Sequence, residues 1–200
     1  MSTNPGPARV LIIRHGEKIG DPKSDDDGGR HLSVRGSARA AALPTLFAPT
    51  QPQLTCAMHA RTNEFHGGYR QNPLKGKAPR FATPDFVFAT ERSKHSKRPI
   101  ETVTPLSVAL NLPIEDGFAD KDPDITKMCN AILNEFTFAG KTVLICWHHG
   151  KIPEIARALG IAKPPKWKGT VFDRVWQVTY KKGKASLEDS PQQLLYGDSR

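Results

Sequence analysis

Two short segments of this chain echo each other, and together they restrict its fold more than any other feature. Val10-Leu-Ile-Ile-Arg-His-Gly16 and Val143-Leu-Ile-Cys-Trp-His-His-Gly150 each run from an apolar stretch straight into histidine and then glycine. A short, fully apolar run predicts a strand buried on both faces, as in parallel sheets covered by helices. In such sheets ligands bind outside the carboxyl ends of the strands. If these two strands run parallel, His15 and His149 arrive on the same edge. Gly16 and Gly150 let a backbone approach a ligand closely, and the Gly150 turn leads into a helix whose free N–H groups favour an anion.

The remaining pattern fits that frame. Phe86-Val-Phe-Ala89 predicts a second buried strand, Thr142 to Cys146 a third, and Val175 to Tyr180 a final edge strand before a polar tail. Ser33 can cap a helix carrying Val34, Ala38, Ala41 and Ala42, which Pro44 ends or kinks. A helix is expected from about Lys97 to Leu110, with Pro99 in its first turn and a kink at Pro105. Ile125, Met128, Cys129, Ile132, Leu133 and Phe136 recur at helical spacing, with Asp122 as the expected N-cap before Pro123. Ile152, Ile155, Ala156 and Leu159 mark a further helix closed by Gly160. Strands alternating with helices imply an α/β protein, a three-layer α/β/α sandwich on a mostly parallel central sheet. Residues 1–200 read as one domain with a long irregular insertion at about 48–84, which holds five prolines and Gly67-Gly68. Arg61, Arg70, Lys75 and Lys77 of that insertion are expected to shape a substrate entrance without joining the chemistry.

Composition narrows the partners. Hydrophobic residues are 38% and charged residues 24%, ordinary for a globular protein and wrong for a disordered one. No apolar run is long enough to cross a bilayer, and the first nine residues lack the apolar stretch of a signal peptide, so the expectation is a cytoplasmic protein without membrane contact. Cys129 and Cys146 sit in apolar patterns as small buried hydrophobes of a reducing compartment. The net charge of +9 favours an anionic partner. Basic residues from Arg61 to Lys97, with Phe65, Tyr69 and Phe81 among them, have some features of a nucleic-acid surface. A basic rim drawing in a phosphorylated small molecule accounts for them equally well, and nucleic acid is not the expected partner. Cys56, His59 and His66 lack a fourth ligand at ordinary zinc spacing, so neither metal nor another cofactor is expected.

A third element, Ser93-Lys-His-Ser-Lys-Arg98-Pro-Ile-Glu-Thr102, also lies between a strand end and a helix start. Arg14 and Arg98 are suited to clamp a phosphoryl group through paired N–H donors. An imidazole can attack phosphorus and carry a covalent phosphoryl intermediate. Two histidines and two arginines on one edge would make a phosphoryl-transfer pocket that needs no metal.

At these residues the chain resembles the histidine phosphatase superfamily, its phosphoglycerate mutase-like branch in particular. Arg14-His15-Gly16 followed by Glu17, Arg98-Pro-Ile-Glu-Thr102, His149-Gly150 and Leu32-Ser-x-Arg-Gly36 stand in the expected order from about Arg9 to Gly160. The resemblance implies a phosphoglycerate mutase-like fold and a phosphohydrolase acting on a small phosphorylated molecule through a phosphohistidine. It implies His15 as nucleophile, with Arg14, Arg98 and His149 holding the phosphoryl oxygens and Gly150 beside them. His148 then reads as a structural neighbour, and Glu17 as either a substrate contact or a helix-start acid. Glu115, Asp116, Asp120 and Asp122 lie where the family carries its proton donor, and Asp120 is the choice among them. A mutase-type phosphotransferase, or a non-catalytic phosphate- or nucleic-acid-binding module, are the alternatives.

Overall fold

A computed structural model describes residues 6–19, 29–49 and 79–199. The acidic patch at 25–27, Cys56, His59, His66, Arg61, Arg70, Lys75, Lys77 and most of the 48–84 insertion lie outside the described residues.

The chain alternates strands and helices: β1 (Arg9–Arg14), α1 (Val34–Phe47), β2 (Phe86–Thr90), α2 (Arg98–Leu110), β3 (Ile114–Phe118), α3 (Asp122–Asn134), a 3₁₀ turn at Phe136–Phe138, β4 (Thr142–Trp147), α4 (Ile152–Ala158), β5 (Arg174–Lys181) and β6 (Lys184–Pro191). They form one six-stranded sheet in the order β3-β2-β4-β1-β5-β6. The β3-β2-β4-β1 part is parallel, and the β5–β6 hairpin is added antiparallel to β1.

Side chains alternate across the sheet, and this builds two cores from the same strands. Val10, Ile12, Val143, Ile145 and Trp147 face Ile125, Met128 and Ile132 of α3 and Ile152 and Ile155 of α4. Leu11, Ile13, Leu144 and Cys146 face Leu43 and Phe47 of α1 and Val103 and Leu106 of α2. The molecule is therefore a three-layer α/β/α sandwich, and the uniformly apolar β1 and β4 runs are its two-sided middle. Cys129 and Cys146 are buried in these cores as free thiols.

Several local expectations shift. Ser33 does cap α1, its side chain accepting from the Gly36 N–H, but the helix continues three residues past Pro44. Lys121, not Asp122, is the N-cap of α3, and Asp122 stands inside its first turn. Val175–Tyr180 is not at the edge: β6 pairs outside β5, across a turn whose Lys182 and Gly183 both have positive φ. The opposite edge is β3, whose Ile-Glu-Asp-Gly-Phe sequence carries no strand-like apolar run.

The connections place the site. From the adjacent strands β1 and β4, the chain leaves in opposite directions, β1 toward β2 and β4 toward β5. That divergence opens a crevice at the carboxyl ends, the usual ligand position in an open α/β sheet.

Candidate active site

Residue register brings the two echoed segments together. Arg14 pairs with Trp147 across the β1–β4 ladder, and the His15 N–H continues it by donating to the Trp147 carbonyl at 3.1 Å. A cleft of about 490 Å³ opens beyond these ends, lined by Arg14, His15, Lys18, Arg98, Asp120, His148, His149, Gly150, Lys151 and Glu154. All six residues expected at the site border this one cleft.

His15 is 2% exposed. Its Nδ1 lies 2.7 Å from the Gly16 carbonyl oxygen, which can only accept, so Nδ1 carries the proton and Nε2 is the unprotonated nitrogen of the neutral ring. Burial lowers its pKa to about 2, reinforced by His148, Arg14 and Arg98 and opposed by the Gly16 hydrogen bond. The ring is thus neutral, with a defined tautomer.

Gly16 is fixed from two sides. Its N–H donates to Thr102 Oγ1 at 2.8 Å, and the Thr102 hydroxyl donates to the Arg98 carbonyl at 2.7 Å. Gly36 of α1 packs on its other side, where a Cβ on Gly16 would stand 2.9 Å from the Gly36 carbonyl oxygen and a Cβ on Gly36 would collide with the Glu17 carbonyl oxygen. The motifs at Gly16, Gly36 and Thr102 therefore meet in space, and bare backbone contact explains the two glycines.

The two arginines differ in setting. Arg14 Nη1 donates to the carbonyls of Gly169 at 2.6 Å and Val171 at 3.0 Å, and its guanidinium lies 3.6 Å over the Phe172 ring. Burial and the like charge of Arg98 lower its pKa to about 10, opposed by Glu17, so it stays charged at neutral pH. Arg98 enters the cleft from the first turn of α2.

Glu17 does not border the cleft and starts none of the described helices. It accepts from Arg39 Nη2 at 2.7 Å and Arg35 Nε at 3.0 Å. Arg39, 1% exposed, also pairs with Asp198 at 2.8 Å and donates to Gln192. A buried ion network thus ties the segment after His15 to the C-terminal tail.

The second histidine is where the structure departs most from expectation. The β1–β4 register sets His148, not His149, beside His15, and their rings pack edge-on with centroids 5.3 Å apart. His148 Nδ1 stands 3.0 Å from Asp120 Oδ2, and its Nε2 lies 3.2 Å from Ser96 Oγ. His149 lines the same cleft, against Gly169, its pKa lowered by burial and then by Arg14, His148 and Lys18. Aligning the two echoed runs from their apolar ends, Val10 on Val143, already pairs His15 with His148. Counting back from glycine, as the motif match does, selects His149.

Asp120 reaches the cleft from the β3–α3 connection. Burial raises its pKa, but His148, the Trp147 Nε1–H donated at 2.6 Å and the charge of Lys151 outweigh burial and hold it below the usual carboxylate range. Asp120 is therefore held toward its ionised form. Glu115 and Asp116 lie on β3, Asp116 paired with Arg92, and Asp122 sits in α3; none of the three borders the cleft. Among the described residues, no three or more His, Cys, Asp or Glu side chains are grouped as metal ligands.

No family model matches the sequence. No curated protein matches it either. Solved structures do. The protein histidine phosphatase SixA complexed with tungstate superposes with a TM-score of 0.51 over 92% of this chain and 97% of its own, at 13% identity. The fold is that of the histidine phosphatases, phosphoglycerate mutase-like. A candidate phosphohistidine phosphatase SixA from Agrobacterium tumefaciens (TM-score 0.49, 14% identity, 92% of this chain and 98% of that one) is also similar. So is a candidate alpha-ribazole-5'-P phosphatase from Escherichia coli K-12 (TM-score 0.47, 15% identity, 92% and 96%). No helix among the described residues is long and apolar enough to cross a membrane.

Proposed function

We propose that this chain is a phosphohydrolase that removes a phosphoryl group from a small phosphorylated molecule through a phosphohistidine at His15. The observation that carries this reading is the state of His15: a neutral imidazole, its tautomer set by the Gly16 carbonyl, at the wall of a cleft that also holds Arg14 and Arg98. The Nε2 lone pair forms the bond to phosphorus while the bond to the leaving oxygen breaks. Water then attacks the phosphohistidine, and the electron pair of the breaking P–N bond returns to Nε2.

Arg14 and Arg98 supply the positive charge for the phosphoryl oxygens, in a reading that requires no metal or other cofactor. The carbonyls of Gly169 and Val171 hold Arg14 in place before substrate arrives, so little reorganisation accompanies binding. Lys18 and Lys151 at the cleft wall add to the attraction for an anionic substrate. A place in the cytoplasm accords with the two buried free thiols.

The test is chemical trapping. Brief reaction with a labelled phosphomonoester in a chelator-containing buffer should leave an acid-labile, base-stable phosphoenzyme in the wild type and none in His15→Ala. Turnover by the alanine variant at the wild-type rate would overturn the reading.

A further inference from the structure

We propose that His148, oriented by Asp120, is the proton donor and acceptor of this site, in place of a carboxylic acid. The proposal rests on the phosphohistidine reading above and assigns the proton transfers it leaves open.

A carboxylate, an imidazole and a hydroxyl stand side by side here, the Asp120–His148 pair being a charge contact without hydrogen-bond alignment. Asp120 Oδ2 lies 3.0 Å from His148 Nδ1, and His148 Nε2 lies 3.2 Å from Ser96 Oγ. The other Asp120 oxygen accepts the Trp147 indole N–H at 2.6 Å, which holds the carboxylate beside the imidazole. A negative charge beside Nδ1 favours the proton on that nitrogen and leaves Nε2 to exchange protons. Ser96, 5% exposed, shows that an oxygen sits within hydrogen-bond distance of that nitrogen. Arg98, Asp120 and His148 border both the 490 Å³ cleft and a second hollow of about 360 Å³ lined by Glu91, Ser93, His95, Ser96 and Ala119. His148 therefore stands between the nucleophile and a space able to take the leaving group.

His148, protonated on both nitrogens, gives its Nε2 proton to the leaving oxygen as the P–O bond breaks and its electron pair moves to that oxygen. Neutral His148 then takes a proton from the water whose oxygen bonds to phosphorus, and the P–N electron pair returns to His15. The donor is restored for the next cycle. His148 is the catalytic residue here, and Asp120 is a positioning residue that acts through it.

Leaving-group basicity tests this. Rapid-quench measurement of phosphoenzyme formation is made with a nitrophenyl phosphate, whose leaving group departs without a proton, and with alkyl phosphates, whose leaving groups require one. In His148→Gln, the alkyl esters should slow by about 100-fold or more while the nitrophenyl ester slows by less than about tenfold, as expected for loss of a general acid. Asp120→Asn, nearly isosteric, should show the same divergence to a smaller degree, which covers the case in which His148→Gln fails to fold. Equal slowing of both ester classes would overturn the proposal and make His148 a phosphoryl-binding group. The divergence appearing in His149→Gln instead would overturn it in favour of His149. Absence of a phosphoenzyme in the wild type with every ester would overturn the phosphohistidine reading itself, and the proton assignment with it.

Discussion

Thr102 Oγ1 accepts the backbone N–H of Gly16 at 2.8 Å, joining the start of α2 to the residue that follows the proposed nucleophile. The contact is buried, with Thr102 1% exposed, and Gly16 in turn holds the His15 ring through its carbonyl. One side chain from the second motif thus sets the backbone on which the first motif's imidazole depends. Thr102→Val keeps the shape but leaves the Gly16 N–H without its acceptor. The expected cost is about 1–3 kcal/mol of stability, read from denaturant unfolding. Turnover should fall more than substrate affinity, because the tautomer and aim of His15 loosen. An unchanged kcat would show that Gly16 is held adequately by Gly36 alone.

Arg98→Ala should act on turnover. A guanidinium aimed at phosphoryl oxygens pairs best with charge that develops in the transition state, and its loss is expected to raise the barrier by about 2–4 kcal/mol. Steady-state kinetics decide the matter: a change confined to KM would make Arg98 a substrate anchor only.

The Arg39 network predicts an effect on stability and on acid sensitivity. Arg39→Met strands Glu17 and Asp198 in partly buried positions, with an expected loss of about 3–5 kcal/mol. Asp198 is raised by burial but held down to about 2 by its hydrogen bonds to Arg39 and to the Leu195 and Leu194 amides, and Glu17 is likewise lowered overall. Depressed carboxylates contribute stability that is full above their unfolded pKa and lost as pH falls through the folded one. Wild-type stability should therefore drop between about pH 4 and about pH 2 through these groups, and the methionine variant should show a shallower drop. Parallel acid-unfolding curves for the two proteins would contradict this.

His15 should not titrate in the ordinary histidine range. Its folded pKa is about 2 against an ordinary imidazole value of 6.5, with burial as the first cause. Its imidazole resonances, followed by NMR with His15→Gln for assignment, should stay at neutral-ring positions between about pH 4 and about pH 8. Because the unfolded chain takes up a proton here and the folded one does not, His15 draws stability away as pH falls below its ordinary value. A midpoint near 6.5 would mean that the ring is open to water.

Much of the architecture is legible in the chain. Val10–Ile13 and Val143–Cys146 are apolar at every position because both sheet faces are covered, and that pattern announces a buried parallel strand without further information. The edges are not legible in the same way. β3 carries Glu115, Asp116 and Gly117, and β6 carries Lys184, Glu188 and Asp189, since an edge strand half in water needs no apolar run. Helix bounds moved by a residue or a few, as at Pro44 and Asp122, because packing against the sheet outweighs local preference.

The sequence by itself determined which chemical groups meet. Strand-to-His-Gly placement puts Arg14, His15 and the second histidine pair at one sheet edge, and a basic strand-to-helix turn adds Arg98. Tertiary structure alone decided how they are arranged. The pairing of Arg14 with Trp147 sets His148 next to His15, and the fold of the β3–α3 connection brings Asp120 under His148 from 28 positions away in the chain. Glu17 was drawn off into the Arg39–Asp198 network, which joins residues near the two ends of the chain. The physical reason is range. Strand and helix patterns are written in neighbouring residues, whereas ion pairs and hydrogen bonds at a site form between segments that only the packed sheet brings within a few ångströms.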